Sequence, residues 1–240
     1  MQICNIDGIK YRITNPNDII QRQLIQGVQW DRNLYQLIYE LIKEFNCQSL
    51  LNVGCHIGTL CLPISRYIKQ VTAIEAFPPT YELLLENIQL NQIKNIQTFN
   101  FALGNESDVI YFMDQQTERV SNNTGGMHVF TKTDILENRK SSHLVSMQLT
   151  GDMKRLDDLK EIEPFDILLI DVEGSENALL EGARNTIEKN RPILIIEIWD
   201  DQKRIEENMA ESRFDVIEKI LDMGYTLRRQ QGDDFIFIPT

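Results

Sequence analysis

The sequence predicts an α/β protein whose sheet is mostly parallel and is covered by helices on both faces. Beyond about residue 48, short apolar segments of strand length alternate with longer segments of helical periodicity, which is the order of elements in a parallel sheet. The short segments are apolar throughout, so both of their faces are expected to be buried. The composition, with 42% hydrophobic and 25% charged residues, is typical of a packed globular protein.

The first 48 residues are predicted to form a hairpin and helices that pack on this core. Segment 3–13 alternates around Asp7-Gly8, which is a turn signal of β-hairpins. Residues 17–45 are predicted to be helical, because Leu34, Ile38 and Leu41 recur at helical spacing. We therefore divide the chain into an N-terminal extension, residues 1–48, and a main domain, residues 49–240.

The main domain is predicted to alternate strands and helices around one irregular insert. Strands are predicted at 49–54, 71–76, 96–103, 165–171 and 192–199, and helices at 57–68, 79–90, 175–189 and 214–223. A closing β pair is expected at 224–227 and 235–238. The insert, near residues 107–150, has strand-like pieces at 109–113 and 144–149 and a polar stretch at 114–124. Long irregular inserts of this kind are often lids or binding loops.

The charge balance restricts the partners that we expect. Lys and Arg number 24 against 36 Asp and Glu, which gives a formal net charge of −12. Nucleic acid and anionic membranes both attract basic surfaces, so neither is an expected partner. No segment approaches the roughly 20 apolar residues of a membrane span, and the start does not resemble a signal peptide. Four cysteines without a C-x-x-C spacing indicate reduced thiols and a cytoplasmic location.

The first two core strands end in residues that predict a nucleoside-containing cofactor. Gly54 permits a tight turn, and Gly58 would let the following helix begin close to a ligand. Glu75 follows Gly54 by 21 residues, near the spacing of about 20 at which an acid reaches the hydroxyls of a ribose. A dinucleotide-type G-x-G-x-x-G motif would need a glycine at position 56, where this chain has His56. The loop therefore has fewer of the glycines that bring backbone close to a diphosphate. These residues leave a nicotinamide cofactor and S-adenosylmethionine (SAM) both open.

Acidic residues end two of the later strands. Asp171 closes an otherwise apolar strand, and Glu173 follows before the next helix. Carboxylates at buried strand ends usually have a partner or a chemical task. Glu197 and Asp200 close the next strand, so Asp171, Glu197 and Asp200 are expected to cluster. Such a cluster could hold a divalent cation or orient an acceptor hydroxyl.

The histidines provide one candidate base and no metal site. His56, His128 and His143 lack metal-ligand spacing, so no zinc site is predicted. His56 is expected to shape the glycine loop. His128 lies in the insert, where a histidine of near-neutral pKa could act as a general base; the alternative is a solvated loop histidine.

Several short motifs, taken together, resemble the FkbM family of SAM-dependent O-methyltransferases. They follow one another in the family order over residues 49–200: Asn52-Val53-Gly54-Cys55-His56-Ile57-Gly58-Thr59, Ala73-Ile74-Glu75-Ala76-Phe77-Pro78-Pro79, Asn87-Ile88-Gln89-Leu90-Asn91, Ile170-Asp171-Val172-Glu173-Gly174-Ser175-Glu176 and Leu180-Glu181-Gly182-Ala183. Two positions depart from the family pattern. Asn52 stands where Asp is usual, and Leu169 stands where Lys is usual.

The resemblance implies a Rossmann-like class I methyltransferase domain with a doubly wound, seven-stranded sheet whose last strand is antiparallel. It implies SAM as the methyl donor, with Glu75 on the ribose and the adenine near Phe77 and residues 100–102. The implied cofactor contacts are Gly54, Cys55, His56, Gly58, Thr59, Glu75, Ala76, Phe77, Asn100, Ala102 and Asp171. The implied reaction is methyl transfer to a hydroxyl of a sugar, glycan or related small natural product.

The expected mechanism uses a general base, and the candidates are Asp171, Glu173 and His128. A divalent cation at Asp171 would instead lower the pKa of the acceptor hydroxyl. Two other functions stay open. A nicotinamide-dependent oxidoreductase shares the first strand–turn–helix unit, and a non-catalytic binding module could use the same fold. Specificity for the acceptor is expected to lie in the insert and in the first 45 residues.

Overall fold

The structure, a computed structural model, describes residues 2–114, 122–139 and 142–240 of the chain. Its N-terminal extension consists of β1 (Gln2–Ile6), β2 (Ile9–Ile13), α1 (Ile19–Ile25) and α2 (Arg32–Phe45). The predicted hairpin is confirmed, and Asp7 and Gly8 have φ of 48° and 84°, as type I′ hairpin turns require. The helical segment predicted at 17–45 divides into two helices, because a turn with Gly27 at φ 79° separates them.

The main sheet has seven strands in the described part of the chain, and a single strand runs against the others. The strands are β3 (Ser49–Val53), β4 (Gln70–Ile74), β5 (Ile96–Phe99), β10 (Ile167–Ile170), β11 (Ile193–Glu197), β12 (Tyr225–Gln231) and β13 (Asp234–Pro239), in the order β12-β13-β11-β10-β3-β4-β5. β13 is antiparallel to both of its neighbours, and the remaining pairs are parallel. The predicted seven-stranded, mostly parallel sheet is confirmed.

The central strands β3, β4, β10 and β11 are buried along nearly their whole length. Successive side chains of a strand point to opposite faces, so both faces of the sheet are covered there. The helices of the main domain are α3 (Cys61–Ile64), α4 (Pro78–Leu90), α6 (Glu176–Gly182), α7 (Arg184–Asn190), α8 (Asp201–Glu206) and α9 (Arg213–Asp222). On one face, Leu50 and Leu169 share a core with the hairpin, α2 and α4. On the other face, Leu51 and Leu168 share a core with α6, α7 and α9. The uniformly apolar strands are thus explained.

The insert is more regular than its sequence indicates. It contains β6 (Ala102–Leu103), β7 (Asp108–Met113), β8 (Val129–Phe130), α5 (Lys132–Leu136) and β9 (Val145–Lys154), and its strands form a second sheet in the order β6-β9-β7-β8. Phe112, Phe130 and Met153 belong to a small core of its own, which Phe77 joins from the main domain. The prediction of an irregular insert is therefore wrong for the described residues, although much of the polar stretch at 114–124 lies outside them.

Three predicted boundaries in the main domain are also wrong. The helix predicted at 57–68 is reduced to α3, because Gly58 adopts a φ of 92° that no α-helix allows. The strand predicted at 96–103 divides into β5 of the main sheet and β6 of the insert sheet. The helix predicted at 175–189 breaks at Ala183, whose φ is −114°. Close by, Gly182 lies so near Gly104 that a Cβ would come within 1.8 Å of the carbonyl oxygen of Gly104.

Two further observations concern the environment of the protein. Among the residues that the structure describes, we find no helix with the length and apolar character needed to cross a bilayer. The four cysteines are free and buried.

Candidate active site

A cavity of about 420 Å³ opens at the carboxyl ends of β3, β4 and β10. Ligands of open α/β sheets bind at this edge, and the volume is in the range of small-molecule sites. Trp30 and Asp31 of the N-terminal extension line the cavity, and so do Thr124 and Met127 of the insert. The extension, the main domain and the insert therefore all contribute walls to one site.

The two glycines of the predicted cofactor loop have different roles. Gly54 has a φ of 77°, and a Cβ there would lie 1.6 Å from the carbonyl oxygen of Asp171. Gly54 thus lets the turn after β3 lie directly against the end of β10. Gly58 is not among the residues that line the cavity. A Cβ at Gly58 would lie 1.9 Å from Leu62 and 2.9 Å from Leu84, so this glycine serves helix packing and not the approach of a ligand.

Glu75 is held at the cavity by the backbone. One carboxylate oxygen accepts a hydrogen bond from the N–H of His56 at 2.9 Å, and the other accepts one from the N–H of Phe77 at 2.8 Å. Each oxygen of a carboxylate has two acceptor sites, so both can still accept a ribose hydroxyl. Burial raises the pKa of Glu75 to about 7, against the opposing effect of these backbone hydrogen bonds.

A hydrogen-bonded chain of Asp18, Thr124 and His56 joins the three parts of the molecule. The Thr124 hydroxyl donates to Oδ2 of Asp18 at 2.8 Å, and the Thr124 N–H donates to the same oxygen at 2.7 Å. The hydroxyl has a single proton, so it accepts from Nε2–H of His56 at 2.9 Å. Burial lowers the pKa of His56 to about 4, and the neutral ring keeps Nδ1 as a buried acceptor without a protein partner.

Carboxylates gather at the ends of β10 and β11. Oxygen atoms of Asp171, Glu173 and Glu197 lie within 4.8 Å of one another, and Asp31 and Asp234 also line the cavity. Burial, followed by the charges of Glu197 and Glu173, raises the pKa of Asp171 well above its usual value. Burial likewise raises the pKa of Asp234 to about 7. The cluster contains the kind of oxygen ligands that a divalent cation uses.

Asp200 does not join this cluster, contrary to the prediction. Its side chain caps α8, where Oδ1 accepts a hydrogen bond from the N–H of Lys203 at 2.8 Å. Asp31 and Asp234 lie at the cavity instead. The first precedes α2 in the extension and the second begins β13. Only the folding of the extension and the antiparallel strand brings them to this edge.

Of the three candidate bases, Asp171 and Glu173 line the cavity and His128 does not. His128 is fully buried, with its ring centroid 5.4 Å from that of Trp199 and 6.0 Å from that of Phe130. The structure thus places this histidine in an aromatic core and brings no open face of it to the site.

Most of the predicted cofactor contacts come together at the cavity. Those that line it are Gly54, Cys55, His56, Thr59, Glu75, Ala76, Ala102 and Asp171. Phe77 does not line it and packs on Phe112, with ring centroids 5.3 Å apart. Asn100 acts from behind, because its Nδ2 donates to the carbonyl oxygens of Glu75 at 2.8 Å and Ala76 at 3.1 Å. Phe101 and Leu103 line the cavity as well.

The two departures from the family pattern are neighbours in the sheet. Asn52 of β3 is in register with Leu169 of β10, and both line the cavity. Two neighbouring positions of the sheet are thus both uncharged in this chain. Oδ1 of Asn52 is a buried acceptor without a protein partner.

The sheet order, the antiparallel strand and the position of the cavity define a Rossmann-like protein of the class I methyltransferase type. A family model for the methyltransferase FkbM domain matches residues 52–227. The chain therefore belongs to the FkbM methyltransferase family.

The individual proteins that match this chain share low sequence identity with it. The chain is 27% identical over 145 residues to Methyltransferase 1 of Beauveria bassiana, which covers 55% of this chain and 57% of the relative. It is 31% identical over 85 residues to an uncharacterized RNA methyltransferase of Chlamydia caviae, which covers 34% of this chain and 19% of the relative. The structure of methyltransferase FkbM from Methylobacillus flagellatus KT matches with a TM-score of 0.51 and 17% identity, over 80% of this chain and 43% of that chain. The chain thus spans little more than half of these curated relatives at most, and the solved structure supports the fold.

Family membership implies SAM as the cofactor, and the described residues fit it. Glu75 has acceptor sites for ribose hydroxyls. Nδ1 of His56 and Oδ1 of Asn52 are buried acceptors that line the cavity and have no protein partner. Ten of the described lining residues are Asp or Glu and one is Arg, so the cavity has the charge that a cationic sulfonium requires.

Proposed function

We propose that the protein is a SAM-dependent O-methyltransferase that methylates a hydroxyl group of a sugar, glycan or related small natural product. The observation that carries the proposal is the position of Asp171. It lies within a group of carboxylates, at the same cavity as Glu75 and the Gly54 turn. A candidate proton acceptor and a candidate ribose-binding acid thus line one cavity.

Cofactor binding is assigned to the ends of β3 and β4. SAM, when bound, supplies a methyl group on a positively charged sulfur. Glu75 would hold the ribose, and the turn at residues 54–56 and the side chains of Ala76 and Ala102 would surround the rest. The acidic lining would stabilise the cation, and residues of the extension and the insert would help to position the two reactants, which can supply much of the acceleration.

Proton removal is assigned to Asp171. Its pKa is raised by burial and by the charges of Glu197 and Glu173, which makes it a stronger base than an exposed aspartate. It would accept the proton of the acceptor hydroxyl as the oxygen gains its methyl group. Glu173, which has a carboxylate oxygen within 4.8 Å of one of Asp171, is the second candidate base.

Asp171→Asn tests this assignment. We expect methyl transfer to fall by about 100-fold or more. Binding of S-adenosylhomocysteine, whose thioether sulfur is uncharged, should stay within about 3-fold of the wild type by calorimetry, because no sulfonium charge is involved. Asp200→Asn is the matched control, since Asp200 caps α8 outside the cavity. Turnover of Asp171→Asn near the wild-type rate would exclude Asp171 as the base.

A divalent cation is the second version of the mechanism. The oxygens of Asp171, Glu173 and Glu197 would hold it, and it would lower the pKa of the acceptor hydroxyl. Loss of turnover in EDTA with recovery in Mg²⁺ would select this version, and unchanged turnover in EDTA would support direct proton transfer.

Calorimetry with SAM, S-adenosylhomocysteine and NAD distinguishes the proposal from its rivals. Binding of NAD without SAM would indicate a nicotinamide-dependent oxidoreductase. Binding of SAM without transfer to neutral sugars and glycans would favour a binding module. The acidic lining argues against RNA, the acceptor class that the name of the Chlamydia caviae relative suggests. The free, buried cysteines support a reducing compartment such as the cytoplasm.

A further inference from the structure

The first turn of α6 carries a buried side-chain amide that no protein group satisfies. Asn177 is 7% exposed, and neither its Nδ2 nor its Oδ1 has a hydrogen-bond partner. Buried amides in folded proteins are normally paired, because an unmade hydrogen bond in a dry environment destabilises the fold. Asn177 is therefore a costly residue at this position unless a further group completes it.

The local structure around Asn177 is well anchored, so its lack of partners is not a consequence of a frayed helix end. The adjacent Glu176 forms a buried ion pair with Arg204 at 3.2 Å. Glu176 also accepts a hydrogen bond from the N–H of Gly174 at 2.7 Å. The turn that presents Asn177 is thus held from both sides.

Asn177 lines the cavity and belongs to the helix that follows the strand of the proposed base. Glu173 and Gly174, which lie between Asp171 and this helix in the chain, line the same cavity, and so does Glu211 from the connection between α8 and α9. The ribose acid Glu75 belongs to the end of β4 instead, two strands away from β10 in the sheet. An amide that lines the same cavity and follows the proposed base along the chain is suitably placed for the molecule that loses the proton.

We propose that Asn177 determines specificity for the acceptor, by donating from Nδ2 and accepting at Oδ1 from an uncharged, hydroxyl-bearing part of it. A hydroxyl group both donates and accepts, so one or two neighbouring hydroxyls satisfy the whole amide. A carboxylate or phosphate only accepts, which would leave Oδ1 unpaired, and the nearby Asp171 and Glu173 would repel it. The inference rests on the proposed function and narrows its substrate class to neutral sugars and polyols.

Thermal unfolding of the protein without ligands tests the first half of the proposal. Asn177→Leu removes an unpaired amide and is expected to raise Tm by about 2–4 °C. Asn87→Leu is the matched control. Asn87 is fully buried, but it accepts from the N–H of Arg12 at 2.8 Å and donates to the carbonyl of Ile57 at 3.0 Å, so its replacement should lower Tm. A fall in Tm for Asn177→Leu would show a structural amide and overturn the proposal.

Kinetics and calorimetry test the second half, with D-glucose, L-rhamnose and myo-inositol as acceptor probes. For the best of these, Asn177→Leu should lower kcat/KM by about 10-fold or more, and Asn177→Ser, which keeps a donor and an acceptor, should recover part of the loss. The Kd for S-adenosylhomocysteine should stay within about 2-fold. An unchanged kcat/KM would overturn the proposal. A Kd for S-adenosylhomocysteine that is weakened by about 10-fold would also overturn it, because the amide would then belong to the cofactor site. If the wild type methylates none of these probes and no other neutral sugar or glycan, the proposed function fails, and the Tm comparison still decides whether Asn177 awaits a ligand.

Discussion

At the scale of single residues, Gly54 is a position where the structure leaves no room for a side chain. Its φ of 77° is unfavourable for any side chain, and a Cβ would lie 1.6 Å from a backbone carbonyl that cannot rotate away. Gly232 also has a positive φ, of 63°, but a Cβ there meets nothing within 4 Å. The two glycines therefore separate the cost of conformation from the cost of contact.

We expect Gly54→Ala to lower Tm by more than about 8 °C, because the turn must move away from the end of β10. Gly232→Ala should lower the free energy of unfolding by about 1–2 kcal/mol, because only the unfavourable backbone conformation contributes there. Thermal unfolding monitored by circular dichroism measures both variants. Equal effects of the two substitutions would contradict the close approach of the Gly54 turn to Asp171.

The pKa of Glu75 predicts a pH-dependent stability. Burial raises this pKa from 4.5 to about 7, so folding favours the protonated carboxyl. The contribution to stability is fully present below the unfolded pKa and is lost as the pH rises through the folded pKa. Urea unfolding should show that Glu75→Gln loses about 2 kcal/mol less stability than the wild type between about pH 5.5 and 8. Identical pH dependence in both proteins would exclude the shift.

Cofactor affinity should change in the opposite direction with pH. If Glu75 holds the ribose as proposed, its carboxylate form is the one that accepts the hydroxyls, so calorimetry should show S-adenosylhomocysteine binding up to about 30-fold tighter at pH 8 than at pH 5.5. Glu75→Gln should bind more weakly at pH 8 and show little of this dependence. A wild-type affinity that is constant over this range would remove Glu75 from the ribose site.

Most of the residues that the sequence predicts as cofactor contacts line one cavity, because they follow strands and belong to short motifs. In the sequence, Asn52 and Leu169 are two separate departures from the family pattern. The strand register shows that they are neighbours on adjacent strands. The sequence contains no signal for Asn177, because an asparagine in a first helical turn is ordinary and its lack of partners is a property of the packing alone.

At the scale of elements, Asp18, Thr124 and His56 connect α1, the insert and the cofactor loop. We expect Thr124→Val to speed amide hydrogen exchange at residues 18–26 and 54–60 and to weaken S-adenosylhomocysteine binding by about 3–10-fold, because two hydrogen bonds to the hydroxyl are lost. Ser212→Ala is the control, since that hydroxyl takes part in a local capping box of α9. Exchange that increases only around residue 124 would show that the chain does not couple the three parts.

The sequence predicted elements where periodicity and burial coincide, and its errors have common causes. A helix ends where a backbone must come close to another segment, as at Gly182 beside Gly104. A strand divides when its two halves pair in different sheets, as β5 and β6 do. Both are long-range events, which local periodicity does not record.

At the scale of the whole molecule, part of the excess of acidic residues is concentrated around the cavity. Ten acids and one arginine among the described lining residues should reject phosphorylated acceptors. For the best neutral sugar acceptor, its phosphate ester should show a kcat/KM at least about 10-fold lower. The gap should narrow between about 50 and 500 mM NaCl, because salt screens the repulsion. A phosphate ester that is the better acceptor would contradict this prediction.

Apolar runs, glycines and strand-end acids are local signals, so the sequence was sufficient to predict the α/β class, the doubly wound sheet and the family. It also predicted residues that the structure places around one cavity, among them Gly54, His56 and Glu75. Only the tertiary structure decided which acids meet. It brought Asp31 and Asp234 to Asp171, kept Asp200 as a helix cap and buried His128 against Trp199. The chemistry of a residue depends on its burial and its partners, and these are provided by segments that are far apart in the chain.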